Sequence, residues 1–235
     1  MDSNRRTFMK TLGAAGAAGL VVPEAVAPQA VAPQAAADAP SPKAAPAVSY
    51  IFFNSDEAAW MEAAVNRMVP ADELGPGGLD LGVAVCIDRQ LAGAYGQGAK
   101  MYLQGPWPAG TPEQGWQTRM TPAACYRAAV PRIDAHCRAT FGAAFAALSE
   151  AQQDTVLSGL ESGSIDLVDL PSHLFFKLFR TNVMEGLFSD PIHGGNRNKL
   201  GWKLVGFPGV YGNYVDVIDS YYDRAFDVDP SGIAD

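Results

Sequence analysis

The chain has 235 residues, of which 48% are hydrophobic and 18% charged, enough apolar material for one ordinary core and too little charge for a disordered polymer. Its formal net charge of −8 offers none of the positive field that a phosphate backbone or an anionic lipid surface needs, so nucleic acid is not an expected partner.

Ser3-Asn4-Arg5-Arg6-Thr7-Phe8-Met9-Lys10 precedes an uncharged, Ala- and Gly-rich run from Thr11 to Val22. Paired Arg5 and Arg6, then Phe8, then Lys10, then a mildly apolar stretch read as a twin-arginine export signal. The stretch is much shorter than the roughly 20 residues that span a bilayer as a helix. Small-x-small sites at Ala25-Val26-Ala27, Ala30-Val31-Ala32 and Ala35-Ala36-Ala37 offer several cleavage points. The division expected is a signal over residues 1–36, an Ala/Pro-rich tether over 37–48 and one domain over 49–235. Twin-arginine translocation carries proteins that have already folded, so the chain is expected either to bind a cofactor before export or to escort something that does.

From residue 50 the pattern is helical wherever it is legible. Asn54-Ser55-Asp56-Glu57 forms a capping box for a helix over Ala58 to Val69, ended by Pro70. Leu79 to Tyr95 makes a second, with Leu81, Val85, Asp88 and Leu91 on one face and Gly96 and Gly98 as its stop. Gln104 to Met120, with Trp107 and Trp116, is a loop too long to be a mere connection. Thr121-Pro122 starts a helix through Phe141, in which Pro131 is expected to produce a kink or a break. Ser149-Glu150-Ala151-Gln152 caps a helix ending near Ser162 and Gly163, and a strongly apolar helix runs from Asp169-Leu170-Pro171-Ser172 to about Phe188. Tyr214 to Phe226, with Val215, Val217, Ile218, Tyr221 and Tyr222, suits helix or strand by propensity and is assigned as a last helix. No pair of alternating strands joined by a hairpin turn occurs, so the fold expected is mainly α, a single helical domain with long ordered loops.

The chemistry-bearing patterns are few. Gly93-x-x-Gly96-x-Gly98 lacks the preceding strand that a dinucleotide loop requires. No GxxxxGK[ST], GxSxG, HExxH or CxxC is present. His136, His173 and His193 have no partner at ligand spacing. Cys125 and Cys137 sit about 18 Å apart if they share one helix, so a disulfide would join Cys86 to Cys125 or to Cys137; three unbridged, buried thiols are the other reading.

The segment from Leu187 to Gly209 is the most unusual. Its glycines, prolines and Trp202 suit either a buried corner, with Gly at positive φ and Asn capping a neighbour, or a recognition loop anchored by Trp202 and Phe207. Phe188 to Asn196, followed by Gly201-Trp202-Lys203 and Gly206-Phe207-Pro208-Gly209, closely resembles the C-terminal signature of the gluconate 2-dehydrogenase subunit 3 family. Phe53-Asn54-Ser55-Asp56-Glu57 and Met68 to Asp72 resemble its earlier segments, and the resemblance covers roughly residues 50 to 212.

That resemblance implies a small, non-catalytic subunit without cofactor, metal or catalytic residues of its own. It implies FAD on a large flavoprotein of the glucose-methanol-choline type, and in many cases haem on a multihaem cytochrome c subunit. The implied role is to mature the flavoprotein of a sugar-acid, polyol or alcohol dehydrogenase and to export it to the periplasm through the twin-arginine translocase, with any membrane association made through the complex. Pro191, His193, Gly194, Gly195, Asn196, Trp202, Phe207 and Pro208 are the candidate partner-contact residues. A second hypothesis is a stand-alone periplasmic ligand-binding or redox protein with a site at His173, His193 and Asn196.

Overall fold

The computed structural model describes residues 49–108, 110–111, 114 and 118–235. The signal residues Arg5, Arg6, Phe8 and Lys10, the tether and Trp116 therefore lie outside the described residues. Among those described no strand forms, only the isolated bridges Asp72 to Gly75, Asp166 to Pro171 and Gly209 to Ser231.

Helix α1, Ser55–Met68, begins where the sequence places it: the Asn54 side chain accepts the N–H groups of Asp56 and Glu57, and the Glu57 carboxylate returns to the Asn54 N–H at 3.0 Å. Helix α2, Val83–Ala92, is shorter than the expected Leu79 to Tyr95. Gly82 sits at φ 76°, a left-handed conformation that cannot continue into a right-handed helix, and Gly93 turns to extended backbone at the other end.

Helix α3, Pro122–Phe141, runs unbroken through Pro131. The break expected there does not occur. Pro131 cannot donate to the carbonyl four residues earlier, on Arg127, but both residues lie on the exposed side of the helix, where a freed carbonyl is not forced to be buried unpaired. Helix α4, Glu150–Ser162, carries the Ser149 and Gln152 capping box and ends at Gly163, φ 80°. Helix α5, Ser172–Phe188, is the hub, packing on α2, α3 and α4.

These helices close over one core. Trp60 of α1 has ring centroids 5.8 Å from Phe145, 5.8 Å from Phe175 and 5.2 Å from Phe179, and Tyr126 of α3 lies 5.3 Å from Phe175. All five side chains are fully buried, each stabilising the fold by about 1.5–3 kcal/mol through area alone. Most polar groups carried inside are paired; among the described residues Trp60 Nε1, Gln90 Oε1 and Ser172 Oγ are buried without a partner. Tyr126 donates to Asn182 Oδ1 at 2.9 Å, and the Asn182 amide donates in turn to Tyr95 and to Glu185.

Asp88 explains itself in the same way. It stands on the apolar face of α2, 1% exposed, and its carboxylate accepts the main-chain N–H groups of Ile51, Phe52 and Phe53 at 2.7, 2.9 and 2.9 Å. The segment before α1 is thereby fastened to α2. Arg127 fastens it again from α3, lying 4.0 Å over the Phe52 ring, donating to the Phe52 carbonyl and pairing with Glu57.

Cys86, Cys125 and Cys137 are all free and buried, so the Cys86 bridge anticipated from spacing is not formed. Cys86 Sγ instead faces Ser189 Oγ at 3.8 Å. Burial pushes the Cys125 thiol up to about 12 and, with the nearby Asp134 charge, the Cys137 thiol up to about 11.

After α5 come 3-10 turns at Pro191–His193 and Arg197–Lys199, helix α6 at Leu200–Val205 and a single turn, α7, at Val215–Ile218. The continuous helix expected over Tyr214 to Phe226 is not present. The structure puts no apolar face against this stretch, and an isolated helix of that length is marginal in water. No helix of the described residues is long and apolar enough to cross a membrane.

Candidate partner-docking surface

The chain leaves α5 through a corner whose geometry is fixed by small residues. A Cβ on Gly82 would meet the Gly194 carbonyl oxygen at 2.3 Å, one on Gly195 the Gly186 oxygen at 2.2 Å, and one on Gly201 the Leu187 oxygen at 2.1 Å. Arg197 N–H donates to the Leu81 carbonyl at 3.1 Å, joining the corner to the start of α2.

Asn196, with no exposed surface, spans the two arms: its amide donates to the Ser189 carbonyl and its oxygen accepts the Gly201 N–H, both at 2.8 Å. Trp202 is 5% exposed, its indole N–H donating to the Phe188 carbonyl at 2.7 Å. The buried-corner reading therefore holds for Gly195, Asn196 and Trp202. Gly195 is buried, and Asn196 and Trp202 turn their polar side-chain atoms to the chain's own backbone, so the structure places these three inside the corner and not on an exposed contact face.

Of the other candidates, Pro191, Gly194 and Pro208 are half-buried, while His193 and Phe207 are exposed. Phe207 packs edge-on against Trp202 at 5.2 Å and leaves its outer face free, beside exposed Leu204 and Val205 of α6. Lys203, Gly206, Phe207 and Phe226 help to line a cleft of about 680 Å³ that opens between α6 and the returning tail.

The tail is a loop pinned at its neck. Val210 N–H donates to the Ser231 carbonyl at 2.7 Å and Ser231 N–H to the Pro208 carbonyl at 3.1 Å; Gly209, at φ 96°, allows the two backbones to approach this closely. Asp190 then accepts Ile233 N–H at 2.8 Å, Lys199 pairs with Asp235, and Lys203 pairs with Asp229 at 2.8 Å. The enclosed loop presents Val215, Ile218 and Tyr222, the last 81% exposed, beside a partly exposed cluster in which Tyr221 meets Phe226 at 4.6 Å. Exposed apolar residues gathered this densely make the loop a candidate interaction surface. Assigning the stretch to a helix gave no hint of this exposed face; the sequence signal for it is an amphipathic pattern following three glycines, Gly206, Gly209 and Gly212.

The arrangement does not bring His173, His193 and Asn196 together. His173 lies in the first turn of α5 and His193 beyond its last, about 25 Å apart along a 17-residue helix, and Asn196 has no free polar atom to turn toward either. Nor do the glycines after α2 cradle a pyrophosphate, since a Cβ on Gly96 would fall 1.9 Å from the Leu91 carbonyl oxygen. They serve chain packing. Among the described residues no three His, Cys, Asp or Glu side chains assemble as a metal set.

The gluconate 2-dehydrogenase subunit 3 family model matches residues 55–209, and a model of the twin-arginine translocation signal matches residues 2–22. No curated protein and no solved structure matches the chain. The chain belongs to the gluconate 2-dehydrogenase subunit 3 family and carries a twin-arginine export signal.

Proposed function

Starting from that membership, we propose that this chain is the small, non-catalytic subunit of a periplasmic FAD-dependent dehydrogenase acting on sugar acids, polyols or alcohols. Its task is to hold the large flavoprotein during maturation and to carry it through the twin-arginine translocase. FAD belongs to that flavoprotein, of the glucose-methanol-choline type, and haem c to a cytochrome subunit that receives the electrons; contact with the membrane is made through the assembled complex.

The observation that carries the proposal is the union, on one chain, of an export signal for folded cargo with the family domain. The exposed apolar surface around Phe207 and the tail loop supports it, because a chain that travels bound to a partner needs such a face. Replacing Arg5 and Arg6 by Lys tests it. The variant is expected to strand both this chain and the flavoprotein in the cytoplasm, and normal periplasmic dehydrogenase activity in that strain would refute the escort role.

A further inference from the structure

The tail loop holds an unused design. At about 100° per residue, Tyr211, Tyr214, Val215, Ile218, Tyr221 and Tyr222 all fall within one half of a helical wheel, and Asn213, Asp216, Asp219, Ser220, Asp223 and Arg224 fall within the other, with Val217 at the edge between them. Yet only Val215–Ile218 is helical, and Asp223, at φ 56°, turns the chain out of the helix. The stretch has the pattern of an amphipathic helix of some 20 Å and lacks the apolar surface against which to complete it.

We infer that residues 211–225 are a docking element that completes its helix only in an apolar groove on the flavoprotein subunit, a groove flanked by lysine or arginine. The segment lies outside the residues matched by the family model. This inference rests on the subunit reading and adds to it where the contact is made and what chemistry receives it.

Charge selects this occupant over the alternatives. The polar half of the wheel carries Asp216, Asp219 and Asp223 against a single Arg224, and the whole chain stands at −8. A second copy would bring two acidic surfaces together. A lipid surface is met by helices whose polar face is rich in Lys and Arg, the opposite of this one. A basic-rimmed protein groove satisfies both halves of the wheel, in the manner of other helix-in-groove contacts. Because the neck between Val210 and Ser231 is already closed, ordering is confined to the loop and the rest of the domain need not move.

The test uses the full-length chain and the purified, FAD-loaded large subunit. Affinity is measured for the wild type, for the double variant Val215→Asp with Ile218→Asp, and for Ser220→Pro, alongside the urea midpoint of each. The wild type is expected to bind with a gain of far-UV helical signal and to weaken between about 50 and 500 mM salt. Both variants are expected to bind about tenfold or more weakly with unchanged midpoints. Wild-type binding that neither variant affects overturns the docking element and leaves the subunit reading intact; absence of wild-type binding defeats the subunit reading, and the docking element with it. Two further results overturn the inference: wild-type chains that self-associate through residues the variants abolish, or wild-type binding to vesicles containing anionic lipid that the variants abolish.

Discussion

The indole N–H of Trp202 donates to the main-chain oxygen of Phe188 at 2.7 Å, so the turn after the corner is tied directly to the last residue of α5. Trp202→Phe removes that donor and keeps most of the apolar volume. Chemical denaturation should register a loss of about 1 kcal/mol, with affinity for the flavoprotein unchanged. A residue that anchored the partner would behave in reverse, losing about 2 kcal/mol or more of binding with its stability intact.

Gly82→Ala attacks the same corner from α2. An alanine there must hold φ 76° and place its Cβ 2.3 Å from the Gly194 oxygen. The expected cost exceeds about 2 kcal/mol, and Trp202 fluorescence should shift as its surroundings loosen. An unchanged urea midpoint would show that the corner is slack where the structure draws it tight.

Asp88 receives three N–H groups from the segment before α1. Asp88→Asn turns one acceptor oxygen into a donor facing another donor, and should cost about 1–3 kcal/mol. Hydrogen exchange at Ile51, Phe52 and Phe53 should rise more than exchange in the core helices.

The thiols make a chemical prediction. With Cys125 and Cys137 pushed up to about 12 and 11, and Cys86 also raised by burial, very little thiolate exists near neutral pH. Native protein should resist a thiol reagent at pH 8. Unfolding without reductant should then release three reactive thiols; one thiol would indicate a disulfide that the structure does not contain.

Acidity should release the tail. Hydrogen bonds from Lys203 and Lys199 hold the Asp229 and Asp235 carboxyls below their ordinary value of 3.8. Groups depressed by folding contribute fully above their unfolded value, and the contribution fades as pH falls through the lower folded value. Exchange at Val210, Ser231 and Ile233 should therefore increase below about pH 4, ahead of the core helices. Retention of these protections to lower pH than the core would mean that the backbone bridge, not the lysine pairs, closes the neck.

Much of the helical frame was legible because its boundaries are local chemistry. Asn54 with Glu57, Thr121 with Pro122, and Ser149 with Gln152 each satisfy orphan N–H groups within a few residues, and Gly142 and Gly163 end their helices by adopting positive φ. The failures are non-local. An acidic residue on the apolar face of α2 gives no sign of the segment that Asp88 will hold, 35 to 37 positions earlier. Pro131 reads as a breaker until it is known to face water. In the candidate site, the glycines of the corner were recognisable as tight turns, but whether Trp202 points inward depends on the Phe188 carbonyl, and periodicity carries no information about it. The tail misled in an instructive way, since its pattern is truly helical and the surface that would complete it is not part of this fold.

The carboxylate of Asp88 also has a mechanical meaning. A pull on the chain from its amino-terminal side reaches residues 51–53 before it reaches α1, and there meets three hydrogen bonds anchored in α2. The load passes into the middle of the helical body instead of peeling α1 away turn by turn. A folded passenger drawn through a pore by its leading end needs an attachment of this kind, one that transmits force without starting to unravel.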